Sequence, residues 1–371
     1  MDIDLTLRAK EFASNDPFPM KGFGPMEWWV GNAFMQAQAL RALLGFEIVG
    51  YAGPETGVRD RSSYLLRQSE IEFIVTGAQG PDHEISDHVK LHGPGLKDVG
   101  FLVPDSVAAF NLAVERGAEP HMEPIVTEND HGRMVQSTIK AYGDTVHSLI
   151  ELEGADPRFE PREDTIARST GLHCIDHVVA NVELGKMNEW VEFYDRIFSF
   201  TMLKHFDDDA ISTEYTALMS KVMSGGNGVI KLPINEPAQG KKKSQIEEYL
   251  DFYRTPGVQH LALSTKDLQT SIEDIHNRGI ETIYVPSEYY PEAQERLAGI
   301  DLPWDNIERL SILVDKDDDG YLLQTFSKML QDRPTVFFEF IERRGATGFG
   351  LGNFKALFES IEREQAKRGN L

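Results

Sequence analysis

Residues 175–206, IDHVVANVELGKMNEWVEFYDRIFSFTMLKHF, decide the fold, because residues 26–51, MEWWVGNAFMQAQALRALLGFEIVGY, run through the same order of strand, helix and strand. In that alignment Asn32 falls opposite Asn181 and Trp28 opposite His177. A second pair repeats further along. Residues 95–120, GLKDVGFLVPDSVAAFNLAVERGAEP, and 257–282, GVQHLALSTKDLQTSIEDIHNRGIET, each give a strand, an amphipathic helix with apolar residues at i, i+3 and i+4, a glycine stop and a new strand. Four strand-helix-strand units in two matching halves point to an internal duplication. The stretch between the halves, ADPRFEPREDTIARST, is rich in proline and charge and poor in large apolar residues except Phe159, the composition of a linker. The expected organisation is an N-terminal domain over 1–155, a linker over 156–170 and a C-terminal domain over 171–371.

The second half carries chemistry that the first lacks. His177 in GLHCIDHVVANVE, His260 in TPGVQHLALST and Glu339 in TVFFEFIER each interrupt a strand-like apolar run. Two imidazoles and one carboxylate form the facial triad that holds non-haem Fe(II) and leaves positions open for substrate and oxygen. In the first half the aligned positions hold Trp28 and Asp98. The scaffold is therefore built without the imidazoles, which argues for one catalytic and one structural half. Strand alternation puts Val336, Phe338 and Phe340 on one face and Phe337, Glu339 and Ile341 on the other. A carboxylate among those side chains needs a metal or an ion-pair partner such as Arg343.

Composition narrows the class. The chain has 371 residues with 41% hydrophobic and 10% aromatic content, enough for packed cores. Its 37 basic and 60 acidic side chains give a net charge of -23, which excludes nucleic acid as an expected partner. The run Lys241–Lys243 is followed at once by Glu247, Glu248 and Asp251, and reads as a solvated loop. The start, MDIDLTLRAKEF, lacks the order of a signal peptide, and no apolar run is long enough to span a membrane. With Cys174 as its single cysteine, the chain can form no internal disulfide, in keeping with a cytoplasmic setting.

Other motifs read as structure. His173 and His177 are spaced as a helical ligand pair, but along a strand they stand about 13 Å apart. His83, His88 and His92 in DHEISDHVKLHG lack the HExxH order and read as a surface helix end. DKDDDGYLLQTF starts like a calcium loop but has Phe326 where a bidentate Glu is required, so it reads as a hairpin turn. GATGFGLGNF lacks the lysine of a phosphate loop and reads as a flexible lead-in to a last helix. No GxSxG occurs, and Cys174 sits in a strand with no sign of an activating base, so nucleophilic catalysis has no support.

Several segments together resemble one family over nearly the whole chain. They are LHGPGLKDVGF, GLHCIDHVV, LPINEP, KSQIEEYL, GVQHLAL, DGYLLQTF and FFEFIERRGATGFGLGNFKALFESIE. The family is that of the 4-hydroxyphenylpyruvate dioxygenases, in the vicinal oxygen chelate superfamily. The resemblance implies an α+β fold of duplicated βαβββ modules forming two open barrel-like halves, with a C-terminal helix. It implies one Fe(II) at His177, His260 and Glu339, and a pocket formed by Ser220, Asn235, Gln245, Gln259 and Gln324 with Phe326, Phe337, Gly350, Asn353 and Phe354. The implied reactants are 4-hydroxyphenylpyruvate and O2, and the implied products homogentisate and CO2, in tyrosine catabolism. A homo-oligomer built through the metal-free half is expected, and the last helix is suited to close over the pocket. Three alternatives share the fold: 4-hydroxymandelate synthase, an extradiol ring-cleaving dioxygenase with His173 or His276 as its acid-base group, and a metal-free binding protein.

Overall fold

The structure, a computed structural model, describes residues 18–206, 215, 217–238 and 240–370; the opening segment MDIDLTLRAKEF lies outside them. Strands β1 (Gly22–Trp29), β2 (Glu47–Ala52), β3 (Arg61–Gln68) and β4 (Ile71–Ala78), with helix α1 (Ala33–Ala39), make one βαβββ module. After helix α2 (Glu84–His92), strands β5 (Gly95–Leu102), β6 (Pro120–Asn129), β7 (Gly132–Lys140) and β8 (Val146–Gly154), with helix α3 (Ser106–Glu115), make the next. The two join by antiparallel pairing of β1 with β5 into a sheet of order β6-β7-β8-β5-β1-β4-β3-β2, with the short strand β9 (Glu160–Pro161) on its edge. Residues 156–170 thus run along the first sheet, and Phe159 is buried against Ala52, Leu65 and Ile74.

The second half repeats the plan. Strands β10 (Leu172–Asn181), β11 (Thr201–Phe206), β12 (Leu218–Gly225) and β13 (Ile230–Pro237), with helix α4 (Met187–Phe198), form its first module. Helix α5 (Gln245–Tyr253) follows, then β14 (Gly257–Thr265), helix α6 (Leu268–Asn277), β15 (Leu313–Lys316), β16 (Tyr321–Phe326) and β17 (Phe337–Arg344). The sheet order is β11-β12-β13-β10-β14-β17-β16-β15. Its outer strand is split by an excursion. Thr282 bridges Ser327, the chain leaves through helices α7 (Tyr289–Arg296) and α8 (Trp304–Arg309), and β15 returns to the same neighbour with Leu313 opposite Gln324. The curled sheet is closed by helix α9 (Phe354–Arg368).

The repeat shows in local chemistry. Asp105 caps α3 by accepting from the Ala108 amide at 2.9 Å, and Asp267 caps α6 through Thr270 at 3.1 Å, each satisfying a donor that the first helical turn leaves free. The strand pairing also corrects the sequence alignment. The β1/β5 and β10/β14 ladders shift register at matching places, so that Phe23 pairs with Phe101 as Ile175 does with Leu263, and Met26 pairs with Val99 as Val178 does with Leu261. Pro25, not Trp28, therefore stands at the position of His177. The apparent match of Asn32 with Asn181 is a coincidence of type: Asn32 caps α1, whereas Asn181 ends a strand.

One hydrophobic core runs across both halves. Strand β17 turns its two faces to different tasks. Phe338 packs on the first half, stacked on Phe73 at 6.0 Å and beside Trp28 at 5.9 Å. Phe337 and Glu339 point the other way, into the curled second sheet.

Candidate metal centre

Three neighbouring strands build the centre. His177 of β10 pairs with Ala262 of β14, and Ala262 pairs with Glu339 of β17, so the three side chains form one row across the sheet. His260 lies two residues from Ala262 on the middle strand and shares its face. The long side chains of His177 and Glu339 converge over the methyl group of Ala262, and His260 closes the triangle. Glu339 Oε2 lies 3.2 Å from His177 Nε2 and 3.5 Å from His260 Nε2. All three ligand atoms lie within 4.8 Å of one another, in a site where His177 is 3% and Glu339 4% exposed.

Two β-bulges orient the imidazoles. The ladder carries an extra residue on β10 between Ile175 and His177, and another on β14 between Val258 and His260. A bulge lets adjacent residues face the same way. Asp176 is thereby set beside His177, accepting from its Nδ1 at 2.8 Å, and Gln259 beside His260, with Oε1 3.1 Å from its Nδ1. Each Nδ1 proton is held by the preceding residue, which leaves each Nε2 lone pair directed at the centre, the usual outer support of a metal-bound histidine. The bulge also brings Gln259 to the cavity wall, although simple alternation would turn it away from His260.

Asp176 is anchored in turn. Arg343 donates to it from Nε at 2.6 Å and from Nη2 at 2.8 Å, and Lys231 Nζ lies 3.8 Å away. Arg343 also holds the Ala346 and Gly348 carbonyls at 3.2 and 2.6 Å and lies over the Phe349 ring. The expected ion-pair partner of Glu339 is thus engaged elsewhere, and Glu339 faces the two imidazoles. Burial works against ionised Asp176, but Arg343 and Lys231 outweigh it and hold its carboxyl well below the usual range. Burial likewise opposes ionised Glu339, yet His177 and His260 bring its carboxyl down to about 2. His177 is disfavoured as a cation by burial but raised on balance by Glu339 and Asp176, whereas burial dominates at His260 and lowers it. Two buried imidazoles and a carboxylate that stays ionised are the donor set that a divalent transition metal takes.

The open side of the centre meets a cavity. Ser220, Asn235, Gln245, Gln259 and Gln324 line it together with Phe326, Phe337 and Phe354. Ser220 and Asn235 are register partners on β12 and β13, and Gln259 Nε2 donates to Gln245 Oε1 at 3.4 Å. Phe337 stacks on the His260 ring at 4.8 Å. Gly350 and Asn353 stand outside this wall, behind Gln324. Gly350 has φ +73, and a Cβ there would meet Gln324 Nε2 at 2.8 Å, so only glycine lets the chain pass so close. Asn353 is fully buried and its Oδ1 accepts from the Tyr289 hydroxyl at 2.6 Å.

Sequence reasoning missed Ala262, Asp176 and Phe349; it expected the last helix over the pocket without naming the residues of α9 that face it. Phe349 stands 5.2 Å from the His177 ring, and Leu357, Phe358 and Ile361 of α9 roof the cavity. The aspartate directly before His177 was the available signal for Asp176. The helix is fixed at both ends: the Gly352 amide donates to Asp315 at 2.8 Å, and Arg368 Nη2 donates to Glu248 of α5 at 2.8 Å. His173 bonds Ser69 at 2.8 Å and His276 approaches Thr282 at 3.0 Å; neither lines the cavity, so neither can serve as its acid-base group. The hairpin reading of DKDDDG holds, with Asp317 accepting from the amides of Asp319 and Gly320 at 3.0 Å. The surface reading of His88 and His92 does not, because both are buried where the two halves meet.

Among the described residues, the first half carries no counterpart of this triad. By strand register the three ligand positions there hold Pro25, Asp98 and Ser148, and the Ser148 amide donates to Asp98 at 2.9 Å. Burial pushes the Asp98 carboxyl up to about 7, against the pull of Ser148. An acid with a raised folded pKa stabilises the fold below its unfolded value near 4 and loses that contribution as pH rises through about 7. Asp98→Asn should therefore flatten the fall in melting temperature between pH 5 and 8, and Asp98→Ala should leave metal binding by the chain unchanged, both measurable by thermal melts and metal analysis.

The fold and the three-ligand centre together define a protein of the glyoxalase/bleomycin resistance protein/dioxygenase superfamily, whose family pattern matches residues 174–325. Residues 14–157 match the family described as hydroxyphenylpyruvate dioxygenase, N-terminal. The 4-hydroxyphenylpyruvate dioxygenase of Aspergillus fumigatus is 43% identical, covering 95% of this chain and 94% of that protein; that of Dictyostelium discoideum is 40% identical, covering 95% and 100%. Among solved structures, a substituted 4-hydroxymandelate synthase from Streptomyces coelicolor superposes with a TM-score of 0.85 at 30% identity, covering 93% of this chain and 98% of its own. The chain belongs to the 4-hydroxyphenylpyruvate dioxygenase family.

Proposed function

We propose that the protein holds Fe(II) at His177, His260 and Glu339 and converts 4-hydroxyphenylpyruvate and O2 to homogentisate and CO2. The observation that carries this reading is the row His177–Ala262–Glu339, capped by His260 and open on one side to a cavity of uncharged amides and phenylalanines. Bound there, Fe(II) would supply the redox chemistry by which a 2-oxo acid reacts with O2. One oxygen atom ends in the new carboxylate and the other on the ring.

The chain's own residues bind, orient and exclude water. Ser220, Asn235, Gln245, Gln259 and Gln324 offer donors and acceptors to the oxo acid and the phenol without adding charge beside the metal. Phe326, Phe337 and Phe354 clamp the aromatic ring. Gly350 and Asn353 act one layer back, Gly350 by leaving room for Gln324 and Asn353 by fixing the start of α9 through Tyr289. Asp176 and Gln259 fix the imidazoles, and Arg343 ties Asp176 to the loop that carries Phe349. Helix α9 roofs the cavity and keeps water from it. The full-length relatives favour this reading over benzylic hydroxylation of the same substrate, as by a 4-hydroxymandelate synthase.

No helix among the described residues is long and apolar enough to cross a membrane, and we place the chain in the cytoplasm. The edge strand β6 exposes Ile125 and Val126, which fits a second copy of the chain as partner. The reading is tested by oxygen and CO2 measurements on the Fe(II)-loaded chain: one O2 should be consumed for each CO2 released from 4-hydroxyphenylpyruvate, and release without uptake contradicts it. Deleting the residues after Gly352 removes the roof and should uncouple oxygen uptake from homogentisate formation; unchanged coupling would remove α9 from the account.

A further inference from the structure

Helix α2 presents His88 and His92 one turn apart on a single face, toward the junction of the two halves, where α5 presents Tyr253. Both imidazoles are nearly inaccessible, at 3% and 1% exposure, and both converge on Asp144 from the loop before β8. Asp144 Oδ2 lies 2.7 Å from His88 Nδ1 and 3.3 Å from His92 Nε2, and the ligand atoms of the three residues lie within 4.8 Å of one another.

The hydrogen bonding leaves this cluster incomplete. His92 Nδ1 is bonded to the Tyr253 carbonyl, so it carries the proton and Nε2 directs a lone pair at a carboxylate oxygen. A lone pair facing a carboxylate requires a proton or a metal ion between them. The separation, 3.3 Å, sits between the 3.2 and 3.5 Å found in the His177–His260–Glu339 centre. It also matches the roughly 3.3 Å that separates two donors of a tetrahedral ion bound at about 2.0–2.1 Å, whereas the 2.7 Å from His88 Nδ1 to Asp144 Oδ2 is a direct hydrogen bond that an ion would open. Moreover, Asp144 Oδ1, His88 Nε2 and the Tyr253 hydroxyl are buried without a hydrogen-bond partner. Buried polar atoms are rarely left unpaired, so the hydrogen bonding of this junction is incomplete on all three side chains.

We propose that His88, His92 and Asp144 form a second metal site, separate from the central one, that takes a borderline divalent ion such as Zn2+ or Co2+. Two imidazoles and a carboxylate favour such ions. A cleft lined by Trp29, Leu91, Lys97, Glu183 and Arg254 gives the ion a path and leaves room for a water as fourth ligand. Lys97 is the competitor. Its ammonium group bonds the Asp144 carbonyl, rests over the Trp29 ring at 4.9 Å, and lies 3.9 Å from Asp144 Oδ2. An ion at this place would clamp α2 to the loop before β8, beside the end of α5, whose Tyr253 carbonyl bonds His92 Nδ1.

The test is equilibrium dialysis of the metal-stripped, full-length chain against Co2+, with bound cobalt counted per chain. Two ions are expected for the parent, one for Glu339→Ala and one for Asp144→Asn. A single ion in the parent that is lost in Glu339→Ala would overturn the proposal. Because Asp144→Asn could disturb the junction, Lys97→Met provides a second reading: it keeps all three donors, removes the competing charge, and should tighten the second ion by about tenfold or more. Unchanged or weaker binding of that ion in Lys97→Met would equally overturn it.

Discussion

Glu339→Ala, His177→Ala and His260→Ala should each abolish turnover and strip the central metal while leaving the fold in place. The three ligands occupy separate strands of one sheet, so no single substitution breaks a ladder, and the first half shows the same scaffold folding with Pro25, Asp98 and Ser148 at these positions. Losing even an outer partner of a ligand typically costs about 10- to 100-fold in affinity or activity, and losing a ligand costs more. Removing Glu339 has a further effect. Its carboxyl, held at about 2, is the negative charge that His177 and His260 face, so its loss leaves two buried imidazoles with no anion between them. Metal content by elemental analysis and turnover by oxygen electrode measure the outcome; full activity in any variant would remove that residue from the ligand set.

Ala262→Leu should be as damaging without touching a ligand. Ala262 is fully buried between His177 and Glu339 in the pairing, and its methyl group forms the floor over which they converge. A leucine there would project into the space between the three ligand atoms. Overpacking a core site costs about 1–3 kcal/mol of stability, which a chain of this size tolerates, while the centre itself would be filled. The variant should fold, melt somewhat lower and bind no central metal, whereas Ala262→Ser should retain it. Wild-type metal content in Ala262→Leu would show that the row is not the base of the centre.

The sequence made the three ligands legible because each breaks an apolar run in which a polar side chain is costly, and the repeat made the scaffold legible through matched glycines and caps. What it hid depends on pairing. The Ala262 floor and the bulges at Asp176 and Gln259 are properties of register between strands, which no single strand encodes. The same gap produced the misplacement of Trp28: Asn32 and Asn181 align by type, but the connection from strand to helix is longer in the second half, and only the ladder shows that Pro25 faces the position of His177. His88 and His92 looked like a polar helix end because α2 is amphipathic by itself; their burial comes from α5 of the other half, far along the chain. Phe349 lies in a glycine-rich stretch whose path is set by Arg343, itself held by distant Asp176, and by Asp317, about thirty residues back along the chain.

The most direct test is to incubate the Fe(II)-loaded protein with 4-hydroxyphenylpyruvate in air and identify the aromatic product by chromatography against authentic standards. Homogentisate, formed in step with oxygen uptake, is the predicted result. Hydroxymandelate would keep the metal centre and contradict the assigned use of the phenylalanine pocket, and no oxygen uptake by a fully loaded protein would contradict the account as a whole.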